Sequence, residues 1–157
     1  MKSNPYNSYQ IFSLVLLRLL IGWHLLYEGI VKILDPEWTA GGFLQNSQGP
    51  MAGFFQHLTS DNNLLYIVDL CNEWGLVLIG LSLMLGFLTR IGIISAIILL
   101  AMYYLANPPF LGLSAPANIE GSYLIVNKNL IEIGALLVLS GFRSSYFYGL
   151  DRFFIRR

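Results

Sequence analysis

Charge is scarce in this sequence: nine Lys or Arg and nine Asp or Glu make up 11% of 157 residues. An average soluble domain carries about a quarter, so a water-soluble fold is excluded in favour of an integral membrane protein. A mean hydropathy of +0.61 agrees. Cysteine is nearly absent, and the lone Cys71 excludes an intrachain disulfide and any cysteine-based metal cluster. It reads as a small buried apolar side chain. With zero net charge and no basic tract or aromatic RNA-binding motif, nucleic acid is not an expected partner. A basic leader is missing too, since only Lys2 precedes the first apolar run. Glu28 and Lys32 stand where a signal-peptide cleavage site belongs, so this run reads as a retained helix. No repeat or internal boundary divides the chain, and residues 1–157 read as one domain.

What is present in abundance is apolar sequence in blocks near the ~20 residues that cross a bilayer. Four such blocks occur, at about 11–33, 64–87, 90–106 and 123–142. The expected fold is an all-α membrane-embedded four-helix bundle. Spans two and three are joined only by "GFLTRIG" (86–92) and must form a tight hairpin. Pro108 and Pro109 end the third. Lys2, Arg90, Arg143, Arg152, Arg156 and Arg157 flank one side, whereas 35–63 and 107–122 contain no lysine or arginine. By the positive-inside rule both termini and the 2–3 turn are cytoplasmic, and the long first loop faces outward. That loop carries Trp38, Phe43, Leu44, Met51, Phe54, Phe55 and Leu58, too apolar for a solvated linker. A short amphipathic helix or re-entrant hairpin on the outer membrane face would hide them, as would an ordered loop packed over the bundle.

Ionisable residues inside the spans are costly in lipid and are therefore candidate functional groups. On a wheel of about 100° per residue, Arg18, His24, Glu28 and Lys32 share one face of span one, with Gly22 and Gly29 at its edge. His24 and Lys32 each lie one turn from Glu28, at pairing distance. Span two adds Glu73, and span four adds Asn127, Lys128 and Glu132, whereas span three carries no charge beyond Arg90 at its start. At ~1.5 Å per residue, Glu28, His24, Lys128, Glu73 and Glu132 all fall within roughly 13 Å of the outer face. One outward-opening polar pocket with Glu28 at its centre is the expected arrangement. A balanced salt-bridge core that only fixes helix register is the structural alternative, although buried ion pairs stabilise poorly. Lys32 also has the option of snorkelling to the surface. His24 and His57 are the only histidines. Haem held between them would require the loop to fold back onto span one, and a metal on His24, Glu28 and Glu73 would require a similar convergence.

The segment "LRLLIGWHLLYEGIVKI", with Arg18, Gly22, Gly29 and Lys32, resembles the first-span signature of the DoxX family of small bacterial membrane proteins. "EWGLVLIGLSLMLGFLTRIG" resembles the second-span motif at Glu73, Gly80, Gly86, Thr89 and Arg90. "NKNLIEIGALLVLSG" followed by "YGLDR" is similar to the closing segment at Asn127, Lys128, Gly141 and Asp151. The resemblance implies four helices in a bacterial inner membrane and a protein partner in a membrane redox complex. For the similar DoxX and DoxD proteins that complex is a thiosulfate:quinone oxidoreductase. "WHLLYEG" and "EGSYLIVNKNLIE" are richer in charge than the general pattern.

Two functions compete. In the first, the chain is a redox-complex subunit that binds a quinone. His24, Glu28, Glu73 and Glu132 would handle protons there, and Arg18, His24, Lys32, Asn127 and Lys128 would hold the headgroup. Thiosulfate oxidation itself has no cysteine pair, metal cluster or flavin fingerprint here, so it would fall to a partner. In the second, the chain is a non-enzymatic scaffold or a path for a small solute or proton. The small number of spans and the lack of an inverted repeat count against a stand-alone carrier. A homo-oligomer is compatible with either.

Overall fold

A computed structural model describes residues 7–109, 124–142 and 148–154. Among these residues the regular elements are helices: α1 (Ser8–Leu34), α2 (Gly41–Gln45), α3 (Ala52–His57), α4 (Asn62–Leu85), α5 (Thr89–Ala106), α6 (Lys128–Gly141) and α7 (Asp151–Phe154). Three of them, α1, α4 and α5, are long and apolar enough to cross a membrane. Lys2, the segment 110–123, Arg143, Arg156 and Arg157, which entered the expected topology, lie outside the described residues.

Small residues set how these helices pack. α1 and α4 run antiparallel in close contact, and a Cβ on Gly80 would lie 2.5 Å from the Leu26 backbone nitrogen. Gly22 and Gly29 open the same seam from the α1 side, against Met84 and Val77. In lipid, where apolar side chains gain little from leaving the solvent, such close backbone approach is what draws helices together. α5 returns along α4 with Gly92 against Ser82. Leu25, Leu76, Leu83, Leu100, Leu136 and Leu139 fill the interior.

Phe12, Leu16, Leu20, Trp23 and Tyr27 on α1, Leu70, Trp74, Leu78 and Leu85 on α4, and Ile91, Ile94 and Ile98 on α5 are exposed instead. Continuous apolar faces of this kind suit a hydrocarbon surround and not water. Cys71, expected in the interior, is exposed. It lies between Leu70 and Trp74 on this outward side of α4, where an apolar thiol costs little.

The 35–61 connection is an ordered loop with two short helices, packed on the ends of α4 and α5. Ala40, Leu44 and Phe55 bury against Ala106, with Trp38, Leu58, Leu65, Val68 and Leu105 around them. The loop is pinned by polar contacts at two points. Asp69 accepts from the Ala40 N–H and the Thr39 hydroxyl, both at 2.8 Å. The N–H groups of Gln48 and Gly49 donate to the Ala106 carbonyl at 3.0 and 2.9 Å, satisfying an orphan acceptor at the end of α5.

α6 differs from the expected fourth span. It begins at Lys128, five residues later than 123, and has 14 residues, about 21 Å at 1.5 Å each. That is short of the ~30 Å hydrocarbon core. The cause is local. Leu124 has φ 60°, Asn127 is extended, and its side-chain oxygen accepts from the Leu130 N–H at 3.0 Å, so the helix starts where the cap is. The Ile125 carbonyl ahead of the cap is taken by the Tyr104 hydroxyl at 2.8 Å.

Candidate functional site

The charges of α1 separate into three groups along its length. Nearest the α4–α5 turn, Arg18 is 2% exposed and donates from Nη2 to the Tyr148 carbonyl. Its Nε and Nη1 have no hydrogen-bond partner among the described residues. Gly86, at φ 63°, closes α4 directly over the guanidinium, and a Cβ there would meet Gly149 at 2.7 Å and Nη1 at 3.0 Å. Asp151 supplies the neighbouring negative charge. Its carboxylate accepts from Leu88 N–H at 2.7 Å and Thr89 N–H at 3.2 Å, so it caps α5 from across the chain. The Asp151 N–H donates in turn to the Gly86 carbonyl at 2.8 Å, and Leu150 N–H to that of Leu85 at 3.1 Å. The 148–151 segment is thus sewn onto the turn, which brings Arg90 and Arg152 to the same end of the molecule.

Midway along α1, His24 faces α6. Its Nδ1 is 2.7 Å from Glu132 Oε1 and its Nε2 is 2.9 Å from Lys128 Nζ. Glu28 Oε1, one turn along α1, stands 3.7 Å from both Nε2 and Lys128 Nζ. The Nδ1 contact is short but off the line of a well-formed hydrogen bond, and Glu132 Oε2 is buried with no partner among the described residues. Side-chain exposure rises across the group from 16% at Glu132 through 29% at His24 to 43% at Glu28 and 58% at Lys128. The cluster is therefore a graded seam between α1 and α6, with one buried carboxylate behind an imidazole and two charged groups at the mouth. Four groups able to exchange protons meet there within hydrogen-bond or near-contact range, which is what acid–base chemistry requires.

At the loop end, Lys32 does not snorkel outward; it is within electrostatic range of Glu28, Lys128 and Glu73 but makes its contacts elsewhere. Its Nζ donates to Asn72 Oδ1 at 2.9 Å and sits 4.8 Å from the Trp38 ring centre and 5.5 Å from that of Tyr103. Asn72 donates onward to the Tyr103 hydroxyl at 2.6 Å, and Phe43 meets Tyr103 edge-on at 5.9 Å. This cage ties α1, α4, α5 and the loop into one unit, using aromatic faces and an amide to hold the ammonium.

Of the residues singled out from sequence, His24, Glu28, Lys128 and Glu132 come together. Arg18, Lys32 and Asn127 do not join them, and Asn127 serves α6 as its cap. Glu73 makes no hydrogen bond or ion pair with a described residue. The centre of the group is His24, not Glu28, because α6 approaches α1 at the histidine's level. His57 lies exposed in α3 beside Ser60, so the two histidines share no partner. Among the described residues no group of three or more His, Cys, Asp or Glu is placed to hold a metal ion. Asn72, Trp38 and Tyr103 had no sequence signal beyond a polar or aromatic residue near a helix end. Asp151 was visible only as part of the "YGLDR" resemblance. No family model, curated protein or solved structure matches the chain.

Proposed function

We propose that the chain is the membrane subunit of a redox complex and that the α1–α6 seam receives a quinone headgroup. The observation that carries this reading is the half-exposed His24, held between the Glu132 carboxylate and the Lys128 ammonium and flanked by apolar helix faces. A quinone needs hydrogen-bond donors at its carbonyls and a route for protons, and its tail needs hydrocarbon contact. Lys128 and His24 are donors, Glu28 and Glu132 accept and release protons, and Trp23 and Tyr27 on the exposed face of α1 border the entrance from lipid. In this reading α1, α4, α5 and α6 form a four-helix domain in a bacterial inner membrane. Both termini are cytoplasmic, because Arg90 and Arg152 lie at one end and the lysine- and arginine-free 35–63 loop at the other. The resemblance to DoxX proteins supports the same assignment, and the electron donor would be a partner protein.

The test is ligand-induced stabilisation in lipid nanodiscs. Ubiquinone or menaquinone analogues are expected to raise the unfolding temperature of the protein, and His24→Ala to abolish that rise. Organic extraction and an absorption spectrum of the purified protein report any resident quinone or haem. Failure of every quinone analogue to shift the transition, with no quinone in the extract, sinks the proposal. If charge-neutralising changes at Glu28 and Glu132 lower stability and alter no binding, the seam is a structural ion-pair core. Loss of a co-purifying partner in the same variants points to a scaffold.

A further inference from the structure

The chain is neutral in sum, but its charges are divided. Seven of its nine lysines and arginines fall in 1–27, 74–119 and 133–157 with a single acid, Asp151, and the remaining stretches hold two cations and eight acids. Asp151 does not offset the cations at the surface. It is 4% exposed, and its carboxylate accepts from the Leu88 and Thr89 N–H groups. Among the described residues this end presents Arg90 and Arg152, both exposed and neither in an ion pair with a described residue. Their proximity is fixed by the same contacts. Arg90 follows Thr89 and Arg152 follows Asp151, the two residues joined by the 3.2 Å amide–carboxylate hydrogen bond. The Leu150 and Asp151 N–H groups pin the start of α7 to the Leu85 and Gly86 carbonyls. Beside the two arginines Phe87, Leu88, Ile91 and Leu150 are exposed, and Ile94 and Ile98 continue that apolar surface along α5.

We infer that the corner between α5 and α7 binds an anionic phospholipid, with its phosphodiester on Arg90 and Arg152 and an acyl chain along Ile91, Ile94 and Ile98. The chemistry of the corner selects that ligand class. Guanidinium groups meet phosphate oxygens with paired N–H donors. Arginines clustered at the end of a membrane helix attract anionic headgroups. An apolar track that starts at the arginines suits a ligand charged at one end and hydrocarbon along the rest, which a free phosphate or an acidic peptide is not. No carboxylate competes: α4 from Trp74 to its end and the whole of α5 contain none, and Asp151 is turned to the amides. Arg143, Arg156 and Arg157 stand on either side of α7 in the sequence and add to the general attraction. Asp151 acts here as a positioning residue, because its cap on α5 holds Arg152 beside Arg90. The inference presupposes a membrane-embedded chain and no quinone.

Native mass spectrometry of the full chain, released from phosphatidylcholine nanodiscs doped with phosphatidylglycerol, counts the lipids it retains. Phosphatidylglycerol is expected to be enriched on the chain over its share of the bilayer. Arg90→Gln combined with Arg152→Gln should lower that enrichment about tenfold or more, since each arginine near an anionic headgroup is worth about fivefold. Arg156→Gln combined with Arg157→Gln removes the same charge and should lower it by less than about threefold, which separates a site from diffuse attraction. Arg90→Lys combined with Arg152→Lys keeps the charge without the paired donors and should fall between these values, a second reading that does not depend on how the Gln pair folds. Equal loss from the two Gln pairs overturns the site, and so does a lack of preference for phosphatidylglycerol in the unaltered protein. Displacement of the lipid by inorganic phosphate would assign the arginines to a free anion and overturn it as well. No quinone enters the measurement, so this inference and the quinone reading fail separately.

Discussion

Arg18 and His24 lie less than two turns apart on one helix, yet the structure treats them in opposite ways. Arg18 is sealed, and the groups around it are mostly backbone: the Tyr148 carbonyl, the Gly86 turn and the amides that Asp151 caps. His24 is half open, and all of its polar neighbours are side chains that gain or lose protons. Backbone partners fix geometry and cannot change charge. Side-chain partners hold geometry loosely and can. The difference separates a polar site that keeps the helices and the 148–151 segment in register from one whose groups are open to exchange.

Breaking the sealed site should have the largest effect. Asp151→Ala removes the acceptor for two amides, one of them on Leu88 at φ 51°, and leaves the Arg18 charge buried without its neighbour. Isolating a buried charge costs about 3–5 kcal/mol, and thermal or denaturant unfolding in detergent should show a loss in that range. Asp151→Asn keeps an acceptor and should lose less. A loss under about 1 kcal/mol for Asp151→Ala would remove the contrast between the two sites.

The packing that brings both sites together is next in size. Gly80→Ala forces a methyl group onto the Leu26 backbone, and neither helix yields without α1 and α4 separating. Overpacking of this kind costs about 1–3 kcal/mol. Because α1 also carries His24, quinone-dependent stabilisation should fall with it. The open site behaves differently under direct change. His24→Ala should cost about 1 kcal/mol or less, in line with polar contacts between membrane helices, while abolishing the ligand response. A stability loss at His24 matching that at Asp151 would show that the seam is structural too.

These contrasts explain what could be read from the sequence. The three long helices follow from apolar length, and the α4–α5 turn from Gly86 and the short "GFLTRIG" connection. Helical spacing and depth are one-dimensional quantities, and they make His24, Glu28, Lys128 and Glu132 neighbours. The cage around Lys32 is not legible in the sequence for a physical reason: its partners Trp38, Asn72 and Tyr103 come from the loop and two other helices, and an ammonium over aromatic rings has no periodicity to read. Asn127 reads as a ligand because a cap and a binding asparagine are the same residue type in sequence, and the start of α6 depends on the cap. The sealing of Arg18 depends on the 148–151 segment docking onto the turn, a contact that spacing along the chain does not reveal.

Glu73 offers the sharpest small test, because its depth in the sequence points to the pocket and the structure joins it neither to the Arg18 site nor to the seam. Helical depth makes it level with the other charges, but the charge it acts on is Lys32 at the loop end. Its carbonyl also packs against Gly29. With no hydrogen bond or ion pair to a described residue, its carboxylate contributes little to the sealed Arg18 site or to the seam. Glu73→Gln preserves shape and removes the charge, so it should change stability by less than about 0.5 kcal/mol, the range of substitutions away from such features. Quinone analogues should stabilise Glu73→Gln as they do the unaltered protein, while Glu132→Gln at a similar expected depth should weaken that effect. The paired measurement asks whether depth or direction decides which intramembrane carboxylate works. An equal loss in both variants would put Glu73 back into the site and merge the two groups of charges that the structure keeps apart.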